Sequence, residues 1–266
     1  MLELRNLSLP SDGAFGIALK NINLQLRGGE VVAVAGIAAN GQSELFDAIT
    51  GETQVKDAYA VEICGVPVGK RKINARRLLG SAFVPEERLG HGAVPGFVLS
   101  DNILLTRYKS DPELIRYGML NQKLATEMEK RITATYDVRM SHDNPEARSL
   151  SGGNLQKFVV GRELDRAPKV LVINQPTWGV DAGAAALIRQ AIIDLARSGS
   201  AILVISQDLD EIYEVADRIA VISRGELSAA EPAADMTRER IGLLMAGMGE
   251  EQASSSKVKE VETHAY

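Results

Sequence analysis

Short apolar runs recur along the chain, each bounded by Gly, Pro, Asn or Ser. They are LELRNLSL from Leu2, INLQL from Ile22, VVAVAG from Val31, AVEICG from Ala60, SAFVP from Ser81, VLVIN from Val170, AILVIS from Ala201 and RIAVIS from Arg218. Their length and their content of Val, Ile and Leu predict strands. Several lack a polar face, which predicts burial on both sides of a sheet. Between them, apolar positions recur at helical spacing over residues 43–50, 121–136, 155–164, 182–197 and 208–215. This alternation predicts an α/β fold with a mainly parallel sheet. Residues 90–165 carry helical patterns and no convincing strand, so a helical subdomain is expected there. The amphipathic stretch ERIGLLMAGM, 239–248, is expected to pack on the domain. The tail 249–266 has almost no apolar content and is expected to be disordered.

Composition narrows the classes without choosing one. A chain of 266 residues with 45% hydrophobic residues has room for a substantial core. No apolar run approaches the roughly 20 residues that cross a bilayer, and MLELRNLSLP lacks the features of a signal peptide, so a cytosolic chain is expected. A net charge of -5 counts against extended nucleic-acid binding, which neutralises phosphates with basic surface. Cys64 is the only cysteine, which excludes an internal disulfide framework; it reads as a buried small hydrophobe. His91, His142 and His264 have no zinc-ligand spacing.

Two glycine-bearing stretches carry chemistry. GIAANGQSEL, 36–45, follows an apolar strand and opens a helix, with Gly36, Gly41 and Ser43 in the phosphate-loop spacing G-x-x-x-x-G-K-[ST]. Gln42 stands where that spacing has lysine. SLSGGNLQKFVVGREL, 149–164, places Ser-Gly-Gly before an apolar-faced helix. The first amides of a helix lack internal partners, the dipole there favours negative charge, and glycines let a phosphate approach. A lone S-G-G is also explained by Ser151 acting as an N-cap. The octet LSGGNLQK is far less generic.

At this point the chain resembles the ATP-binding subunits of ABC transporters, whose signature is LSGGQ. The motifs follow in order: GIAANGQS looks like Walker A, FVPEER like the Q-loop region, LSGGN like the signature, VLVINQPTWGVD like Walker B with the D-loop, and VISQDLDEI like the switch region. The VPEER and SGGNLQK variants look most like the second nucleotide-binding half of importers for simple sugars and nucleosides. That resemblance implies a P-loop NTPase core of RecA-like type with an N-terminal antiparallel β subdomain and a helical subdomain, spanning residues 1–248. It implies ATP and Mg2+ as cofactors. As partners it implies a second nucleotide-binding domain, often fused upstream, membrane permease subunits and, indirectly, an external solute-binding protein, with the chain at the inner face of the cell membrane. Nucleotide would be bound by Gly36, Ala38, Ala39, Asn40, Gly41, Gln42, Ser43 and Glu44. Phe15, the only aromatic before Gly36, would stack on adenine or is a plain loop residue. Asp181 fits the D-loop aspartate, and Trp178 is expected at the Walker B turn or a dimer interface.

The departures from the family pattern matter most. Gln42 replaces the lysine, Asn174 the magnesium-organising aspartate, Gln175 the catalytic glutamate and Gln207 the switch histidine. Loss of one charge-assisted bond of roughly 1.5 to 3 kcal/mol lowers ATP affinity about ten- to a hundredfold. The loop's backbone amides are expected to stay available to phosphate. Gln175 cannot accept a proton, and a positioned base contributes on the order of 100- to 10,000-fold. Ser43 and Asn174 remain on the metal side, and Glu86 either lends an oxygen or belongs with Glu87 and Arg88 to a solvated loop. Family dimers are head to tail, so Ser151, Gly152, Gly153 and Asn154 would complete a partner's site while this chain's own site stays nearly inactive. A competent ATPase and a non-transport ABC protein acting on nucleic acid are the rival readings.

Overall fold

The computed structural model describes residues 1–13 and 16–247, so Phe15 and the tail 249–266 lie outside the described residues. The first half holds β1 (Leu2–Leu9), β2 (Leu19–Leu26), β3 (Val31–Ala35), α1 (Gln42–Thr50), β4 (Val61–Ile63), β5 (Val66–Pro67), α2 (Ile73–Arg77), β6 (Ser81–Val84), α3 (Leu99–Arg107), β7 (Ile115–Arg116), β8 (Met119–Leu120) and α4 (Gln122–Thr135). Then come α5 (Gly152–Leu164), β9 (Val170–Asn174), α6 (Ala182–Arg197), β10 (Ala201–Ser206), α7 (Leu209–Val215), β11 (Arg218–Ser223), β12 (Glu226–Leu227), β13 (Glu231–Pro232) and α8 (Arg238–Met245).

Two sheets organise them. An antiparallel sheet has the order β2-β1-β4-β5, and a seven-stranded sheet runs β12-β11-β3-β10-β9-β6 with β13 on β11. Strands β11, β3, β10, β9 and β6 are mutually parallel. The unbroken apolar runs have the expected cause: every residue of β3, β6, β9 and β10 is buried, because the sheet is covered on both faces. Alternation decides which face each serves. Leu171, Ile173, Ile202 and Val204 join the helical side with Phe158 and Ile188, while Val170, Val172, Leu203 and Ile205 join α1 and the antiparallel sheet.

Three local expectations change. Residues 99–107 form a helix whose buried face, Leu99, Ser100, Asn102, Ile103, Leu104 and Arg107, is half polar, so its apolar periodicity is weak. The helical subdomain also contains a hairpin of two-residue strands, β7 and β8, too short for an alternating pattern. Cys64 is half-buried rather than buried: β4 ends at Ile63, and Cys64 and Gly65 form the turn with φ of 51° and 78°. Helix α8 packs through Ile241 and Leu244 against Val221 and Ile219 of β11, as its amphipathic pattern implies. Among the described residues no helix is long and apolar enough to cross a membrane.

Candidate functional site

The parallel strands bring the expected residues to one edge. Ser206 is in register with Ala35 and Ile205 with Asn174, so the segments after β3, β9 and β10 all leave the C-terminal edge of the sheet. Open α/β sheets bind ligands at that edge.

The loop after β3 is held in a tight form. Ala39 and Gly41 have φ of 61° and 111°, and Gly41 caps α1 without a side chain. A Cβ at Gly36 would stand 2.7 Å from both Gln42 Nε2 and Ile222 Cγ2, so only glycine fits there. Asn40 ties the loop to the β11–β12 turn by accepting from the Arg224 and Gly225 amides, each at 2.9 Å. Gln42 is 7% exposed and turns back into the loop. Its Nε2 donates to the Ile37 carbonyl at 2.7 Å and its Oε1 accepts from the Asn40 amide at 3.1 Å. This corrects the expectation that the loop amides stay available. The Asn40 N–H already has an acceptor in the neutral side chain that replaces lysine. The amides of Gln42, Ser43 and Glu44 take no acceptor from the described residues, as befits a helix start.

Beside the loop, a cavity of about 810 Å³ is lined by Ser43, Glu44 and Asp47 of α1, by Asp12 and Gly16 between β1 and β2, and by Lys56. Glu44 accepts from the Ile17 amide at 2.9 Å, which fixes the β1–β2 connection to α1. Burial, with Glu52 and Glu44 nearby, pushes the Asp47 carboxyl up to about 6. The charged groups of the lining are Asp12, Glu44 and Asp47 against Lys56, among neutral neighbours.

At the ends of β9 and β10, Gln175 is nearly buried in a left-handed conformation with φ of 53°, and its amide donates to the Ile205 carbonyl. Gln175, Thr177, Trp178, Gln207, Asp208 and Glu211 surround a cavity of about 380 Å³. Gln207 is exposed, and Trp178 is 67% exposed, so of its two expected places it is not packed on the turn. Burial pushes the Glu211 carboxyl up, although it accepts from Ser206 Oγ at 2.5 Å and Thr177 Oγ1 at 2.6 Å.

The fit to Mg2+ is partial. Asn174 is 2% exposed and its Oδ1 has no hydrogen-bond partner, an oxygen able to hold a metal-bound water. Ser43 and Glu86 are exposed. Among the described residues no group of three or more His, Cys, Asp or Glu side chains could hold a metal.

Ser151 caps α5, its Oγ accepting from the Asn154 amide at 3.4 Å and Asn154 Nδ2 at 3.0 Å. Asn154 Oδ1 accepts from the Arg139 amide at 2.9 Å. Ser151 and Gly152 are exposed. Both glycines also answer close neighbours: a Cβ at Gly152 would stand 2.8 Å from Arg88 Nη1, and one at Gly153 3.1 Å from the Gly179 carbonyl. Asp181 caps α6 through the Ala184 amide, whose bond holds its carboxyl below the usual range.

Sequence reasoning missed Arg88. Glu86 and Glu87 are exposed, as a solvated loop would be, yet Arg88 turns inward to Gln156 Oε1 at 3.0 Å and to the Trp178 carbonyl. Burial pulls its pKa down. Its partners lie 68 and 90 residues away, so no local pattern marks it.

A family model described as ABC transporter matches residues 19–178. The chain is 36% identical over 247 residues to the nucleoside import ATP-binding protein NupA of Lactococcus lactis, covering 93% of this chain and 48% of that protein. It is 37% identical over 261 residues to a glucose import ATP-binding protein of Haloferax volcanii, covering 96% and 46%. The chain thus spans about half the length of these curated relatives. Its fold is similar to that of a dimeric ATP-binding cassette in a post-hydrolysis state bound to ADP and Pi, with a TM-score of 0.74 at 21% identity over 88% of this chain and 99% of the other.

Proposed function

The chain belongs to the ABC transporter family, and we propose that it is the cassette of a sugar or nucleoside importer that binds ATP weakly, barely hydrolyses it, and completes a partner cassette's site. One observation supports this reading above the rest: the neutral Gln42 side chain occupies the Asn40 amide of the phosphate loop, while Ser151 and Gly152 at the start of α5 are exposed.

The roles follow from the donors. At this chain's own site, Gly36, Ala38, Ala39, Asn40, Gly41, Ser43 and Glu44 would surround a nucleotide's phosphates. A phosphate must first displace Gln42 Oε1 from the Asn40 amide. Ser43 and Asn174 would face the magnesium ion that shields phosphate charge, and Glu86 is exposed beyond them. Gln175 can orient water but cannot take its proton, and Gln207 carries no imidazole. At the partner's site, the Ser151 hydroxyl and the first amides of α5 would donate to the γ-phosphate, with Gly152 and Gly153 leaving room for it. The partners in this reading are a second cassette fused upstream, permease subunits that hold the chain at the inner face of the membrane, and an external solute-binding protein. Nucleic acid is not among them.

Ser151→Asp tests the reading. Aspartate keeps the cap but sets a carboxylate against the incoming phosphate. By contrast, Gly152→Asp would also clash with Arg88. The assembled transporter carrying Ser151→Asp should lose about a thousandfold or more of its ATPase activity, at least what one phosphate-site donor is worth. Unchanged activity would show that this signature serves no site.

A further inference from the structure

We propose that Arg88 and Gln156 form a positioning brace that locks the lent signature helix to the segment after β9. This inference rests on the reading that Ser151 and the start of α5 serve a partner's site.

Gln156, one turn into α5, is 1% exposed. Its Nε2 donates to the carbonyls of Gln175 at 3.1 Å and Pro176 at 2.9 Å, and its Oε1 accepts from Arg88 Nε. Arg88 in turn donates to the Trp178 carbonyl. The two side chains therefore hold three carbonyls of the 175–178 turn, those of Gln175, Pro176 and Trp178. The turn continues into the cavity around Gln207, where Thr177 bonds Glu211 and Glu211 bonds Ser206. One hydrogen-bonded path joins the loop after β6, the signature helix, the turn after β9 and the segment after β10.

Packing alone does not account for this arrangement. Among the described residues no carboxylate pairs with Arg88; its acceptors are a neutral amide and a carbonyl. Its guanidinium lies at the start of α5, within 2.8 Å of where a Gly152 Cβ would be, and a cation there opposes the helix dipole. Local conflicts of this kind persist where function requires them. An anion brought to the signature relieves the conflict. The planar fork of arginine can meet two acceptors while its remaining face lies against Gly152, which an ammonium cannot do.

The test uses Arg88→Lys, Arg88→Gln and Gln156→Leu. Each should lower kcat of the assembled transporter's ATPase about tenfold, with KM for ATP within about twofold, because the partner's Walker motifs still hold the nucleotide. The Arg88→Gln, Gln156→Leu double variant should be no slower than the slower single, since groups acting as a unit are non-additive. Trp178 is the chain's only tryptophan, so its fluorescence anisotropy in the purified chain reads the turn directly. It should fall in Arg88→Lys, Arg88→Gln and Gln156→Leu at temperatures well below the thermal midpoint, which unpaired buried carbonyls also lower. Wild-type kcat and anisotropy in Gln156→Leu and Arg88→Lys would overturn the brace, as would additive losses of kcat in the double variant. Ser151→Asp separates the two levels: if it is inactive while the brace variants are normal, only the brace fails; if it is active, the reading beneath it fails.

Discussion

In the loop between β3 and α1 one backbone amide, that of Asn40, is taken by the Gln42 side chain, whereas at the start of α5 Ser151 and Gly152 are exposed. In the loop, Gln42 bridges the Ile37 carbonyl and the Asn40 amide and is almost buried. At the signature, Ser151 and Gly152 face outward on a helix whose far end is fixed by a buried ionic cluster. Glu163 in that cluster is fully buried between Arg77, Arg162 and Arg166. The two glycine-bearing segments thus differ in whether a side chain of this chain occupies one of their amides. A ligand at the loop must first displace Gln42 from the Asn40 amide, and a ligand at the start of α5 meets an exposed helix start on a buried anchor.

The largest effect on this contrast should come from the anchor. Burial alone would raise the Glu163 carboxyl, but Arg77, Arg162 and Arg166 hold it at about 2, below its ordinary 4.5. Glu163→Ala leaves buried guanidinium charge uncompensated and should cost about 3–5 kcal/mol in chemical denaturation. The folded state favours the ionised form. Its contribution is therefore present above pH 4.5 and is lost as pH falls towards 2, a slope that Glu163→Gln should remove.

Gln42→Lys sharpens the other side of the comparison. It restores a cation and frees the Asn40 amide, so ATP affinity measured by calorimetry should rise by roughly 1.5 to 3 kcal/mol. Unchanged affinity would mean that the loop is closed by its backbone and not by Gln42.

A smaller effect belongs to Asp47 in the cavity beside Ser43. Asp47 is raised from 3.8 to about 6, so the folded state holds its proton more tightly than the unfolded chain. The associated stability is present below pH 3.8 and lost as pH rises to about 6. Asp47→Asn should melt higher than the parent at pH 7 and equal to it near pH 3.5, a difference kept modest by the solvent exposure of the side chain.

Much of this was legible in the chain. The β3 and β10 runs and the 182–197 helix were clear because apolar runs and helical periodicity reflect burial directly. The motif order located the edge of the sheet where Asn174, Gln175 and Gln207 gather. What escaped was polar burial. Helix α3 hides because Asn102 and Arg107 face inward, Asn102 donating to the Val94, Phe97 and Val98 carbonyls. The fold-back of Gln42 and the reach of Arg88 depend on rotamers and on partners distant in sequence, which neither periodicity nor spacing encodes.

The central claim is that this chain's own site lacks several groups acting as a unit, so repairing one leaves the others limiting. Single-turnover ATP hydrolysis in the assembled cassette pair, with the partner's own site disabled, addresses it most directly. Gln42→Lys alone should bind ATP more tightly and still not turn it over. Only the combined set of Gln42→Lys, Asn174→Asp, Gln175→Glu and Gln207→His should give measurable hydrolysis, and then only with the partner's signature intact. Turnover restored by Gln42→Lys alone would contradict the account and make the chain an ATPase lacking nothing but its phosphate anchor.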